Sequence, residues 1–174
     1  MTPVAITFKG LRSFASLSHE TMCYRATVYV QGQRVGTIEN RGDGGCSHLV
    51  LVDRSPEVAA LVEQARAFAL TQSWTLDSKA YRYQLLEDYI DALVAVEADR
   101  RAIEDRCRRM LKGRVLVVVD QKLFEVRAKP SQAVYEALRA RHGKDVTILN
   151  ELPAAEAAAI YVRHATVGDA EETA

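Results

Sequence analysis

The chain has 174 residues, enough for one ordinary domain or two small lobes around a buried core. Lys plus Arg equals Asp plus Glu at 23 each, so no global basic charge announces a nucleic-acid partner. A content of 48% hydrophobic and 26% charged residues excludes a disordered chain, and no apolar run approaches the ~18 residues of a membrane span.

Three widely spaced cysteines do not make a disulfide framework. The opening MTPVAITFKG lacks the basic-then-apolar layout of a leader, so a reduced, cytoplasmic protein without a membrane partner is expected.

Val4, Ile6 and Phe8 alternate with Ala5 and Thr7 and predict a short first strand; the Ser-rich residues 11–18 read as a loop. A three-stranded antiparallel meander follows. Its strands are 22–30, where Tyr24, Ala26, Val28 and Val30 alternate with Arg25, Thr27 and Tyr29, then 34–39 and 47–52. Gln31-Gly32-Gln33 supplies the first turn and Asn40-Arg41-Gly42-Asp43-Gly44-Gly45 the second. Ser55-Pro56-Glu57 is a helix start, with a capping hydroxyl, a first-turn proline and an acid in the positive first turn. The helix should run to about Thr71 with Val58, Leu61, Val62, Ala65, Phe68 and Ala69 on one face.

Residues 71–79 read as a connector carrying the only tryptophan, Trp74, more often a lid on a core edge than a ligand-stacking ring, with Asp77 or Ser78 capping the next helix. That helix is expected over 80–112, a stretch free of Pro and Gly and roughly 50 Å long. Leu86, Tyr89, Leu93, Val96, Arg100, Ile103, Cys107 and Met110 fall at spacings of three and four, a heptad seam broken only at Arg100. The seam suits either packing on the chain's own lobes or self-association into a homodimer.

Gly113 ends the helix. Residues 114–119 (RVLVVV) form a buried-type strand, Asp120-Gln121 a tight turn, and 122–128 the hairpin mate. A helix opens at Lys129-Pro130-Ser131 with Val134, Leu138 and Tyr135 inward and stops at His142-Gly143. A strand at 145–149 and an Ala-rich helix to about His164 follow, with a frayed acidic tail from Thr166. The expected class is α+β in three segments: 1–78 (sheet plus helix), 79–113 (long helix) and 114–174 (a small βαβ-like lobe).

Four constellations carry candidate chemistry. The Gly-rich loop Asn40, Arg41, Gly42, Asp43, Gly44, Gly45 offers backbone N–H groups to an anion or a partner, yet it lacks a P-loop ending and lies between strands, where a turn simply needs glycine. Arg100, Arg101, Arg106, Arg108, Arg109 and Lys112 make the end of the long helix basic. Such a run is usually a solvated face complementing the helix dipole, and otherwise a surface for nucleic acid or an acidic partner.

His19, Cys23, Cys46 and His48 would converge on a structural zinc if strands 22–30 and 47–52 were neighbours, or pair as a Cys-His nucleophile, although their spacing matches no compact zinc module. Glu87 and Asp91, at i and i+4, are more often solvation than acid–base chemistry. No Ser-His-Asp, HExxH or CxxC pattern occurs, so the sequence favours a protein without catalysis, metal or cofactor over a small zinc-binding or Cys-based enzyme.

The N-terminal pattern also resembles a group of uncharacterised phage, prophage and plasmid proteins. Leu17, Ser18, Glu20 and Thr21 match their lead-in, Tyr24, Ala26 and Tyr29 their strand, Gly32 and Gly36 their turn, and Asn40, Gly42, Gly44 and Gly45 their loop. The resemblance covers about thirty residues and implies an accessory protein of a mobile element. Such a protein would act by occluding a host protein or nucleoprotein, or by sequestering a host ligand. The alternative is a small nucleic-acid-binding regulator using the helix arginines.

Overall fold

A computed structural model describes residues 3–143 and 145–171 and shows an α+β protein. Contacts divide the chain into two compact units, Met1–Val96 and Glu97–Ala174, so the division falls inside the long helix and not at its ends. No helix among the described residues is long and apolar enough to cross a membrane.

In the first unit, β1 (Ile6–Ser13), β2 (Tyr24–Val30), β3 (Gln33–Asn40) and β4 (His48–Leu51) form one antiparallel sheet in the order β1-β2-β3-β4. Residues 11–13, expected as loop, continue β1. Gly10 takes φ +63, the register on β2 shifts between Lys9 and Arg12, and this bulge turns Leu11 into the core. A second bulge inserts Val35, since Val28 pairs with Gly36 but Tyr29 with Arg34; Val35 is fully buried.

The covered face of the sheet carries Tyr24, Ala26, Val28, Val30 and Ile38. Over it lies α1 (Pro56–Ala69), started by Ser55, whose Oγ accepts from the Val58 N–H, and burying Val58, Val62, Ala65 and Ala69. The start of α2 (Leu86–Gly113) adds Leu86, Ile90 and Val94 to the same core.

Between α1 and α2 the chain departs from expectation. Residues 73–82 form a hairpin of β5 (Ser73–Leu76) and β6 (Lys79–Arg82), not a connector followed by helix. Asp77 and Ser78 are its two-residue turn, both at positive φ, and neither caps a helix. Trp74 is no lid: it sits opposite Tyr81, stacked at 5.0 Å between ring centroids, and is 42% exposed. Losing these residues shortens α2 to 28 residues, about 42 Å.

In the second unit, β7 (Val115–Val119) is the central strand of a sheet ordered β8-β7-β9, with β8 (Lys122–Val126) and β9 (Thr147–Ile148) both antiparallel to it. Thus β8 and β9 run the same way on either side of β7, joined through α3 (Gln132–His142), a split β-α-β unit. The expected βαβ-like lobe takes this form. Its continuous apolar strand has a simple cause: both faces are covered.

Leu116 joins Cys107, Leu149, Ala157 and Tyr161 in one layer, while Val115 and Val117 join Ile148 in the other, against Val134, Tyr135 and Leu138 of α3. The last helix, α4 (Ala154–Glu171), extends past the predicted end near His164 into the tail expected to fray. Residues 172–174 of that tail lie outside the described residues.

Candidate functional site

The Gly-rich loop is held from inside by Asn40, 6% exposed at the end of β3. Its Oδ1 accepts from the Gly42 N–H and the Thr21 hydroxyl, each at 2.8 Å, and its Nδ2 donates to the Gly45 carbonyl and Ser47 Oγ, each at 3.1 Å. The Gly42 carbonyl in turn accepts from the N–H groups of His19, Glu20 and Thr21. The Gly44 N–H donates to Thr21 Oγ1 at 3.4 Å.

The Leu17–Thr21 lead-in and the Asn40–Gly45 loop, separate pieces of the sequence pattern, are therefore two sides of one clamp. Two of the N–H groups an anion would need, those of Gly42 and Gly44, are used within it. Arg41 and Asp43 are exposed.

The zinc geometry fails on topology: β3 lies between β2 and β4, so the two strands are not neighbours. Cys23 is buried while Cys46, His19 and His48 are exposed, and among the described residues no three His, Cys, Asp or Glu are grouped to hold a metal.

The heptad seam is largely used by the chain itself. Leu86 is buried and Tyr89 partly buried in the first core; Cys107 is buried and Ile103 and Met110 packed in the second. Leu93 is half-buried and Val96 is 68% exposed.

The arginines divide as well. Arg100 pairs with Glu97 and Glu104, Arg101 with Glu97, and Arg108 with Asp105 and Glu104. The Arg100 bond holds the Glu97 carboxyl below its usual range. Arg106, Arg109 and Lys112 are exposed and have no ion pair among the described residues. Arg106 and Arg109 line a shallow depression of about 370 Å³ beside the Arg114–Glu125 ion pair.

A larger cleft, of about 750 Å³, lies in the first unit. Trp74 and Tyr81 of the hairpin, Tyr83, Arg82, Asp88 and Asp91 line it. Tyr83 meets Tyr89 edge-on at 5.1 Å, and Tyr89 meets Phe68 likewise at 6.1 Å, which ties the aromatic wall to α1 and α2.

Asp91 ties the cleft to the loop. Its Oδ1 accepts from both the Tyr24 hydroxyl and Ser47 Oγ, which lie 3.1 Å apart, and Ser47, 3% exposed, also receives Asn40 Nδ2. A polar chain thus runs Thr21–Asn40–Ser47–Asp91–Tyr24 through an otherwise apolar core. Burial, then the bond to Asp91, pushes the Tyr24 hydroxyl far above the ordinary tyrosine value, so it acts as a donor and not as a base. Ser47 bonds directly to a carboxylate with no imidazole between them, which is an orienting arrangement and not an activated nucleophile.

Burial raises the Asp91 carboxyl above the usual carboxylate range; the bonds from Ser47 and Tyr24 oppose this, and the nearby charges of Asp88 and Glu87 add to it. The folded state then holds the Asp91 proton more tightly than the unfolded chain. Its stabilising contribution is complete below the unfolded value and is lost as pH rises through the raised folded value. Asp91→Asn keeps an acceptor for both hydroxyls and removes the charge. Its stability relative to wild type should therefore increase as pH rises from about 4, the ordinary aspartate value, through the raised folded value. Urea melts followed by the emission of Trp74, the single tryptophan, check this, and a difference that does not move with pH would remove the assignment.

One signal for this site was present in the sequence. The residues SWTL and KAYR flank a two-residue polar turn, and Asp91 stands among paired acids that read as solvation. Compared with known proteins, the chain matches no family model, no curated protein and no solved structure.

Proposed function

We propose that this is a non-catalytic binding protein of a phage or other mobile element, working in the host cytoplasm by occluding a host protein or nucleoprotein. The contact surface is the aromatic cleft of the first unit. The observation that carries this reading is the Trp74–Tyr81 stack, each residue 42% exposed, on a hairpin whose residues are exposed along both strands. Tryptophan and tyrosine at the surface beside a cleft are the residue types that dominate binding hot spots. The mobile-element context rests on the N-terminal resemblance.

The test pairs wild type with Trp74→Ser and Tyr81→Ser as baits in host extract, followed by reconstitution with the purified partner. Each variant removes one ring of a partly exposed cross-strand stack, so each should cost about 1 kcal/mol and leave the unit folded, which a melt of each bait checks. Loss of the same partner from both supports the cleft; equal retention by all three removes it.

Arg106 and Arg109 favour a second reading, nucleic-acid binding, because they lack intrahelical partners among the described residues. If they contact phosphates, Arg106→Glu with Arg109→Glu should flatten the salt dependence of DNA or RNA retention by about two contacts' worth, roughly 0.9 in slope for each. An unaltered slope, or no retention by wild type, ends that reading.

A further inference from the structure

We infer that the cleft is a receptor for a planar nitrogen cation: the guanidinium of an arginine presented by a partner protein, lying on the Trp74–Tyr81 stack and forking onto the Asp88 and Asp91 carboxylates. This rests on the reading of the cleft as the contact surface and adds the chemistry it selects.

Charge is the first argument. The lining holds two carboxylates, Asp88 and Asp91, against one cation, Arg82, and Glu87 adds a further negative charge close enough to act on Asp91. A phosphate-bearing ligand would meet this field with the wrong sign.

Open valence is the second. Both internal donors, the Tyr24 and Ser47 hydroxyls, bond to the same Asp91 oxygen, and Oδ2 receives no donor among the described residues. A carboxylate offers about four acceptor positions on its two oxygens. The fold has thus fixed the side chain by one oxygen and left the other for a guest. Asp88, three residues earlier on α2, is likewise without an ion pair among the described residues.

Shape is the third. Trp74 and Tyr81 stack on each other 27° from parallel, which leaves each ring one outer flat face. A guanidinium is planar, weakly hydrated and stacks on such faces while forking onto a carboxylate, whereas an ammonium is a compact, strongly hydrated point charge. On β5, Leu76 follows Trp74 by two residues, on the same side of the strand, and is 51% exposed, which suits apolar neighbours flanking the arginine.

Because Trp74 is the only tryptophan, its emission reports the cleft directly in the full-length chain. The probes are acetyl-Leu-Arg-Leu-amide, its lysine counterpart, its neutral citrulline counterpart, and adenosine and guanosine monophosphate. The arginine peptide should shift Trp74 emission saturably in the millimolar range, the lysine peptide should bind more weakly, and the citrulline peptide should have no effect.

Asp91→Asn, which keeps the acceptor for Tyr24 and Ser47, should weaken arginine binding about tenfold, the loss of one charge-assisted hydrogen bond. Asp88→Asn should weaken it in the same direction, and Arg82→Gln should strengthen it by removing repulsion. Asp88→Asn also keeps the test open should Asp91→Asn fail to fold.

Citrulline binding as tight as arginine, or indifference to both aspartate variants, overturns the inference while leaving the cleft a binding site. Binding of a mononucleotide in place of the arginine peptide does the same. Silence from every probe also overturns it, and the cleft then stands or falls on the Trp74→Ser and Tyr81→Ser comparison.

Discussion

Gly42→Ala is expected to destabilise the first unit by roughly 3 kcal/mol or more, placing it among the severe single substitutions. Two independent penalties add. Gly42 has φ +88, a conformation that is strained by about 1–3 kcal/mol for a residue with a side chain. A Cβ there would also stand 2.1 Å from the Leu17 carbonyl oxygen and 3.0 Å from Cys23 Cβ.

The Leu17 contact is backbone, so it cannot be relieved by a rotamer. The lead-in must withdraw, and with it go the bonds from His19, Glu20 and Thr21 to the Gly42 carbonyl. Loosening that clamp frees Asn40, and through Ser47 it reaches Asp91 in the cleft.

Gly45→Ala is the internal control, because nothing lies within 4 Å of its Cβ and its φ is not positive. It should change stability by no more than about 0.5 kcal/mol. Urea unfolding read by Trp74 emission measures both, and equal midpoints for the two variants would mean that the clamp does not hold the unit together.

The same clamp shows what a sequence does and does not disclose. Alternation along Tyr24–Val30, the Ser55-Pro56 start and the unbroken apolar run of β7 are local signals, and each specified its element. The hairpin Ser73–Arg82 was hidden because its turn, Asp77-Ser78, adopts positive φ without glycine, and because Ala80 suits a helix. Tertiary pairing of Trp74 with Tyr81 overrides that preference.

Leu11 was hidden because the bulge at Gly10 reverses which side chains face the core, and period-two patterning cannot register a slip. The seam misled in a different way. Spacings of three and four fit more than one stripe, and α2 serves two cores: Leu86, Ile90 and Val94 in one, Ile103, Cys107 and Met110 in the other. A single heptad line drawn through both ends passes over Val96, which is exposed.

The cleft was the least legible part. Its network joins Asp91 to residues 44 and 67 positions earlier, and nothing in local spacing brings Ser47 and Tyr24 to one carboxylate.

Asn150→Ala should have the largest effect in the second unit, about 3 kcal/mol, or roughly 10–20 °C in the unit's melting temperature. Its Oδ1 accepts from the Leu116 N–H at 2.9 Å, and its Nδ2 donates to the carbonyls of Leu111 and Arg114 at 3.1 and 2.9 Å. Those carbonyls belong to the end of α2 and the residue after it, where a helix has no intrahelical partner for its last C=O groups.

One amide therefore closes α2, starts β7 and fixes the approach to β9 and α4. Alanine leaves the buried end of a strand that is covered on both faces with an unsatisfied N–H, and removing one partner of a buried polar group costs more than the bond itself is worth. Asn150→Asp separates geometry from chemistry: it keeps the acceptor for Leu116 but sets a carboxylate against two carbonyl oxygens, so it should recover little.

Hydrogen exchange at Leu116 and Arg114 gives the decisive reading, because a local role predicts faster exchange at Leu116 before the unit melts. Protection at Leu116 unchanged in Asn150→Ala would show that the strand is held by its neighbours on the sheet, with the amide a passenger.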